Sequence, residues 1–432
     1  MNKHTLSLWT SLIFACFCAF GQVPDDFIYG DLLPDAPELS ARGQYAVGVR
    51  TLSLVNKGQI DILNYGKEGV DSLYDRPLTV EVWYPASLSA GEDELVIYDE
   101  VMGNFGAEDR PLIPFTFKGR ASRDAQTNAG DGPYPLVIMS HGYTGSRLMY
   151  TYLTENLASK GYVVVAIDHT ESTFRDANQF TSTLLNRSLD ILFVLNEMAR
   201  LSAPNAESFL SELVDANNTA IMGYSMGGYG VVNVGGAGYS AGAGLFFSSN
   251  AGGSRALEQR IAGNEAHEAS MDDRIKAVVA LAPWGMARGV WDAKGLAGLR
   301  KPTFFIAGSK DDISGYEDGI KAIYEGAVNT DRYLLTYQGA RHNVAPNPPP
   351  PESLEAGRHL DEYLRYADSV WDQRRINNIN QHFITAFLGI HLKETGDYQK
   401  FLDEPEGEDE EVWNGFKPRT WVGLELLHAT PE

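Results

Sequence analysis

The stretch Thr219-Ala220-Ile221-Met222-Gly223-Tyr224-Ser225-Met226-Gly227-Gly228-Tyr229-Gly230 decides the fold. Its first four residues read as the end of a buried strand, and Gly228 to Val234 can open a helix. Between them, Gly223 to Gly227 spells G-x-S-x-G, a strand-to-helix corner that lifts a serine hydroxyl above a sheet. Glycine is needed two places either side of the serine, because a Cβ there would collide as the strand folds back into the helix. Ser225, facing helix N-terminal amides, is a candidate nucleophile. Alone, the pentapeptide also fits a turn without chemistry, so the reading depends on partners.

Partners follow in the order serine, acid, histidine. Lys301-Pro302-Thr303-Phe304-Phe305-Ile306-Ala307-Gly308 is a proline-led apolar run that reads as a buried parallel strand, and Asp311 and Asp312 follow its carboxyl end. Tyr333 to Tyr337 reads as a last strand, and the loop leaving it carries His342, where a general base would fall. Tyr134 to Ser140 is another apolar strand, followed by His141-Gly142-Tyr143-Thr144-Gly145. In this loop the glycines let backbone approach a substrate, so the Tyr143 N–H would join the Met226 N–H as an oxyanion hole and the Tyr143 ring would line the acyl pocket. His141 reads as a buried structural histidine. Asp168 and His169 follow the strand Tyr162 to Ile167 on the wrong side for the triad acid, which assigns them loop-shaping or hydrogen-bonding roles. Arg187 and Asp190 stand at i, i+3 on an amphipathic helix over Arg187 to Arg200, a spacing that suits a local ion pair. Trp284, at the end of the strand Ile275 to Ala282, suits either stacking on a substrate or a place in the core.

The 432 residues carry a net charge of −22 and are 44% hydrophobic, which argues for a large core and against nucleic acid or anionic membrane as a partner. Residues 1–21 combine a basic start, an apolar run and a small-x-small end, Ala19-Phe20-Gly21, and read as a signal peptide for secretion or periplasmic export. No later run suggests a stable membrane span. The signal reading is preferred to lipid anchoring because Ile13-Phe14-Ala15-Cys16 matches a lipoprotein cleavage site poorly. Both cysteines, Cys16 and Cys18, lie in this segment, so the exported chain would carry no disulfide. Residues 22–44 read as a proline- and acid-rich linker and 45–393 as one domain, with insertions near 88–133 and 235–274. Two segments, Tyr45 to Leu52 and Arg76 to Pro85, alternate as antiparallel edge strands. The first insertion reads as a long polar loop over the edge of the site, the second as a lid or a tight helical packing. The proline run 346–351 reads as a rigid spacer, Glu352 to Lys393 as two helical segments, and 394–432 as a solvated acidic tail. No motif for metal or nucleotide is present, and no cofactor is expected.

Taken together, His141 to Ser146, the Tyr224-Ser225-Met226-Gly227-Gly228 segment, Ala282-Pro283-Trp284 and Asp311-x-Ile313 resemble the α/β-hydrolase superfamily. Within it the chain is similar to the dienelactone hydrolase and platelet-activating-factor acetylhydrolase group and to bacterial cutinase-like polyesterases, over about Val47 to Lys393. The resemblance implies an α/β fold: a mostly parallel central sheet with helices on both faces and antiparallel strands at the N-terminal edge. It selects Asp311 over Asp312 as the acid of a Ser225–His342–Asp311 triad and implies a serine carboxylic-ester hydrolase working through an acyl-enzyme, with Tyr143 and Trp284 touching a small-molecule or polymeric ester. A peptidase or amidase, an acyltransferase, and a non-catalytic secreted binding protein are the alternative functions. The two insertions favour smaller esters over polymers.

Overall fold

The computed structural model describes residues 27–65, 72–405 and 412–432. The expected signal peptide and both cysteines lie outside the described residues. The chain is organised on one eleven-stranded sheet. Its strands, with the hairpin that stands apart, are β1 (Ala46–Ile60), β2 (Leu73–Ser87), β3 (Val96–Met102), β4 (Ile113–Gly119), β5 (Ser122–Arg123), β6 (Gln126–Thr127), β7 (Tyr134–Ser140), β8 (Val163–Asp168), β9 (Val214–Tyr224), β10 (Ile275–Leu281), β11 (Thr303–Gly308), β12 (Arg332–Tyr337) and β13 (Leu424–Ala429). The spatial order is β13-β12-β11-β10-β9-β7-β8-β2-β1-β5, with β6 on β2.

From β8 to β12 every neighbouring pair is parallel. These strands are near-continuous apolar runs, as burial on both faces demands: Val137, Ile138, Val165, Ile221, Val279 and Phe305 have no measurable exposure. Helices α1 (Thr151–Ser159), α2 (Phe180–Leu201) and α3 (Met226–Val234) make the crossovers, and the helix Gln373–Lys393 lays Ile376, Phe383, Ile384 and Phe387 into the core. The antiparallel N-terminal edge is the pair β1–β2, joined to β8 through β2.

Four expectations need correcting. First, the supposed linker is packed from residue 27 on: the Leu33 N–H donates to Asn378 Oδ1 at 2.9 Å and Ser40 Oγ donates to the Asn378 carbonyl at 2.6 Å. Its prolines and acids look like linker composition, yet an amide-rich face of the long C-terminal helix meets its backbone polar groups. Second, the described parts of 394–432 belong to the domain. β13 pairs antiparallel with β12, burying Leu424 and Leu426, and the fully buried Trp413 packs edge-on against Phe383 at 5.2 Å. The acidic run dominates the composition there and masks an alternating strand, Leu424-Glu425-Leu426-Leu427. Third, the polar stretch 88–133 contains the hairpin β3–β4, paired from Val96–Gly119 to Met102–Ile113. It is tied down at its turn, where the Gly103 N–H donates to Glu362 Oε2 at 2.7 Å, and at Glu100, which accepts from Ser146. Fourth, the proline run is more than a rigid spacer, being packed into the domain: the buried Asn347 within it donates to the Leu148 carbonyl at 2.9 Å and its own N–H to Met149. This fixes the chain between His342 and the short helix Leu360–Leu364. Residues 235–274 contain α4 (Ala241–Asn250), capped by the Ser240 side chain.

Candidate active site

β9 runs into α3 through Ser225, whose backbone sits at φ 54° and ψ −112°. A non-glycine residue held there costs on the order of 1–3 kcal/mol and persists only where its surroundings fix it. Three backbone bonds do so: the Ser225 N–H donates to Leu281 O at 2.9 Å, and its carbonyl accepts from Tyr229 N at 2.9 Å and Trp284 N at 3.1 Å. The flanking glycines are required by close approach, each for a different reason. A Cβ on Gly223 would stand 2.2 Å from the Gly227 carbonyl oxygen, the strand-on-helix collision expected. On Gly227 it would stand 1.9 Å from the Ser140 carbonyl oxygen, on the neighbouring strand β7.

His342 Nε2 lies 3.0 Å from Ser225 Oγ, and His342 Nδ1 lies 2.8 Å from Asp311 Oδ2. The other Asp311 oxygen accepts from the Ile313 and Ser314 amides at 2.9 and 2.8 Å, which locks the carboxylate toward the imidazole. Asp312 points elsewhere, forking onto the Arg341 guanidinium, and that partner holds its carboxyl below the usual range. The Tyr224 ring lies against the imidazole, centroid to centroid 5.0 Å. All three residues are buried, and while the Asp311 side chain is fully enclosed, the His342 side chain keeps 11% exposure.

The loop after β7 passes beside the serine, since a Cβ on Gly142 would stand 3.4 Å from Ser225 Cβ. Neither the Tyr143 nor the Met226 N–H has a protein acceptor among the described residues; Met226 opens α3, where the first-turn amides have no intrahelical partner. Beneath the loop lies a buried polar cluster. Arg187 donates through Nη1 to the His141 carbonyl and through Nη2 to Ser172 Oγ and, at 3.5 Å, to the Gly142 carbonyl. His141 Nδ1 reaches the same Gly142 carbonyl at 2.6 Å. The peptide unit that ends in the Tyr143 N–H is therefore held from its oxygen side. Burial pushes Arg187 down to about 9 and His141 well below the ordinary histidine value, so His141 is neutral, in keeping with its structural reading.

Arg187 forms no ion pair with Asp190, contrary to the i, i+3 expectation. Asp190 instead accepts both arms of Arg76, at 2.8 and 3.0 Å, and faces His169 Nδ1 at 2.9 Å. His169 Nε2 lies 2.9 Å from Ser140 Oγ. The hydrogen-bonding role expected of His169 is the one it has. Asp168 takes the Arg147 N–H at 2.7 Å and its guanidinium, shaping the same loop.

A cavity of about 320 Å³ opens beside Ser225, lined among others by Gly142, Tyr143, Tyr224, Ile313, His342 and Asn343. Trp284 does not line it. Its ring packs edge-on to Phe180 at 5.2 Å, and Phe180 in turn packs edge-on to Tyr143 at 5.3 Å, so Phe180 stands between the two aromatics expected to touch substrate. Sequence reading missed the far wall, formed by Asp361, Leu364, Arg365, Ala367 and Ser369. No motif marks those residues, which the packed proline run, the bonds of Glu362 to Gly103 and Arg110, and the Asn343 side chain donating to the Ala367 carbonyl hold over the serine.

Residues 108–191 match the family described as platelet-activating factor acetylhydrolase, isoform II. The chain is 27% identical to cutinase est2 of Thermobifida alba over 238 residues, covering 53% of this chain and 62% of that protein. To cutinase cut1 of Thermobifida fusca it is 26% identical over 240 residues, covering 53% and 59%. A solved ferulic acid esterase from Streptomyces cinnamoneus superposes with a TM-score of 0.53 at 20% identity, over 83% of this chain and 94% of that one. The chain has the α/β-hydrolase fold. Its likeness to the acetylhydrolase group and to cutinase-like polyesterases, expected from the motifs, is borne out. The chain spans about three fifths of the length of the two cutinases it matches. Among the described residues, no helix is long and apolar enough to cross a membrane.

Proposed function

We propose that this chain is a secreted serine carboxylic-ester hydrolase acting on small or lipid-like esters, with polyesters as a further class. The reading is carried by one observation, the continuous Asp311–His342–Ser225 hydrogen-bond string ending at the mouth of a cavity. In this mechanism Ser225 Oγ attacks the ester carbonyl while His342 Nε2 takes its proton, and Asp311 holds the imidazole in the tautomer that can accept it. The tetrahedral oxyanion is received by the Tyr143 and Met226 amides. His342 returns the proton to the leaving alcohol, and a water activated by the same imidazole releases the acid from the acyl-serine. The relatives' names, cutinase and ferulic acid esterase, support ester chemistry. Residues 1–21 support export. The wall 361–369, anchored to the hairpin through Arg110 and Glu362, narrows the cleft and favours small esters over polymer chains. A panel of 4-nitrophenyl esters with graded acyl chains tests the reading: turnover by the wild type and its loss in Ser225→Ala support it, and turnover unchanged by that substitution refutes it.

A further inference from the structure

Four charged side chains line the cavity: Asp312, Arg341, Asp361 and Arg365. Three of them make direct ion pairs, although one Arg110 charge is shared between Asp361 and the adjacent Glu362. Asp312 takes Arg341, and Asp361 takes Arg110 Nη1 at 3.0 Å while the adjacent Glu362 takes Arg110 Nε at 2.7 Å. Arg365 has no carboxylate partner among the described residues. Its Nη1 donates to the Thr144 carbonyl at 3.1 Å and to Thr144 Oγ1 at 2.7 Å, and its carbon rests 5.3 Å from the Phe174 ring centroid. Its Nε is enclosed without a partner, and its Nη2 has no protein acceptor among the described residues although it is not enclosed.

A guanidinium keeps its proton, and a half-buried cation without a direct ion pair is costly, so proteins seldom maintain one without use; Glu362 and Asp361 act on Arg365 from a distance, and both are bonded to Arg110. This one is held in place by Thr144, the residue after the amide assigned to the oxyanion. Its unspent donor therefore belongs to the cavity where an ester would bind. The chain's large negative charge does not cancel the effect, because charges beyond about 8 Å are largely screened at physiological salt.

We propose that Arg365 receives a free carboxylate on the substrate, so that the esters preferred by this site are acid esters: half-esters of dicarboxylic acids, or acyl esters of hydroxy acids. The carboxylate would accept a charge-assisted hydrogen bond from Nη2, leaving the tether to Thr144 intact. The proposal rests on the ester-hydrolase reading and names the substrate class of that site.

Matched pairs of substrates test it with the full chain. Monoethyl adipate against diethyl adipate places the charge on the acyl side; 4-acetoxybenzoate against its methyl ester places it on the alcohol side. Turnover is followed by chromatography for the wild type, Arg365→Gln and Arg365→Lys. The wild type is expected to favour the acid member of at least one pair by about tenfold or more in kcat/KM, the range of a hydrogen bond to a charged group. In Arg365→Gln the acid-to-neutral ratio should fall by about 30-fold, mostly through KM, with partial recovery in Arg365→Lys. A wild type that favours the neutral member of both pairs overturns the proposal. So does an Arg365→Gln variant that loses both members of a pair equally, which would make the residue a tether for Thr144 and nothing more. Neutral-ester turnover and labelling of Ser225 by a fluorophosphonate report on the underlying hydrolase reading separately: if both fail, that reading falls; if both succeed while the ratio stays put, only the carboxylate site falls.

Discussion

Two Ser–His–Asp strings run through this molecule. In Ser225–His342–Asp311 the contacts are 3.0 and 2.8 Å, and in Ser140–His169–Asp190 both are 2.9 Å. Hydrogen-bond geometry does not tell them apart. Access and surroundings do. Ser225 stands on a strained corner beside a cavity, whereas Ser140 ends an ordinary strand and is fully buried, as are His169 and Asp190. The second string is also hemmed in by charge: Asp190 takes Arg76, and burial together with the nearby Arg187 pushes His169 down to about 3. A neutral imidazole with no path for a proton supports a loop; it does not run a reaction. A triad is defined by where its serine opens, with the same three side chains otherwise serving as scaffold.

The largest expected effect separates the strings outright. Ser225→Ala should lower kcat on a 4-nitrophenyl ester by about 10⁴-fold or more, and Asp311→Asn by about 10⁴-fold, whereas Asp312→Asn should stay within a few-fold. In the buried string the corresponding change reads as stability. Asp190→Asn takes from Arg76 its buried counter-charge, leaving only the longer pair with Glu171 at 3.4 Å, and should cost about 3 kcal/mol in urea unfolding. If Asp312→Asn proved as damaging as Asp311→Asn, the assignment of the acid would be wrong.

A smaller effect links the two strings. Arg187→Met removes the clamp on the His141 and Gly142 carbonyls, so the Tyr143 amide loses its aim. Losing an oxyanion donor outright costs about 10²–10³-fold. Misplacing one should lower kcat by about tenfold or more with KM little changed. A drop confined to KM would contradict that role.

The smallest effect is a pH slope. His169 is held near 3 in the folded chain and titrates near 6.5 when unfolded, so the unfolded state binds more protons between those values and folded stability falls on acidification through that window. One such imidazole contributes at most about 1.4 kcal/mol per pH unit. Unfolding free energies of His169→Asn between pH 7 and pH 4 should show a slope shallower by that single proton. An unchanged slope would mean that His169 is not held neutral.

The string proposed as catalytic was legible because each member sits where a local pattern ends: a glycine-flanked serine after one strand, an aspartate after a strand closing on Gly308, a histidine in the loop after another. Only the resemblance chose Asp311; in the structure it is Asp311 that reaches His342, with the Ile313 and Ser314 amides holding it while Arg341 occupies Asp312. The scaffold string was not legible. Asp190 meets Arg76 across 114 positions, and helical spacing offered the nearer Arg187 instead. Strand β13 was hidden by acidic neighbours, and the 361–369 wall carries no motif at all. Trp284 kept its place at a strand end, but Phe180, brought in by α2, stands where its contact with Tyr143 would have been. Patterns local in sequence report strand ends and corners; contacts made by packing distant elements leave no such mark.

The most direct measurement is labelling of the full chain with a fluorophosphonate, followed by peptide mapping. Ser225 should carry the label, and Ser140 should remain unmodified although it has the same hydrogen-bonded partners. Label on Ser140, or a folded protein that takes no label at Ser225, would contradict the account.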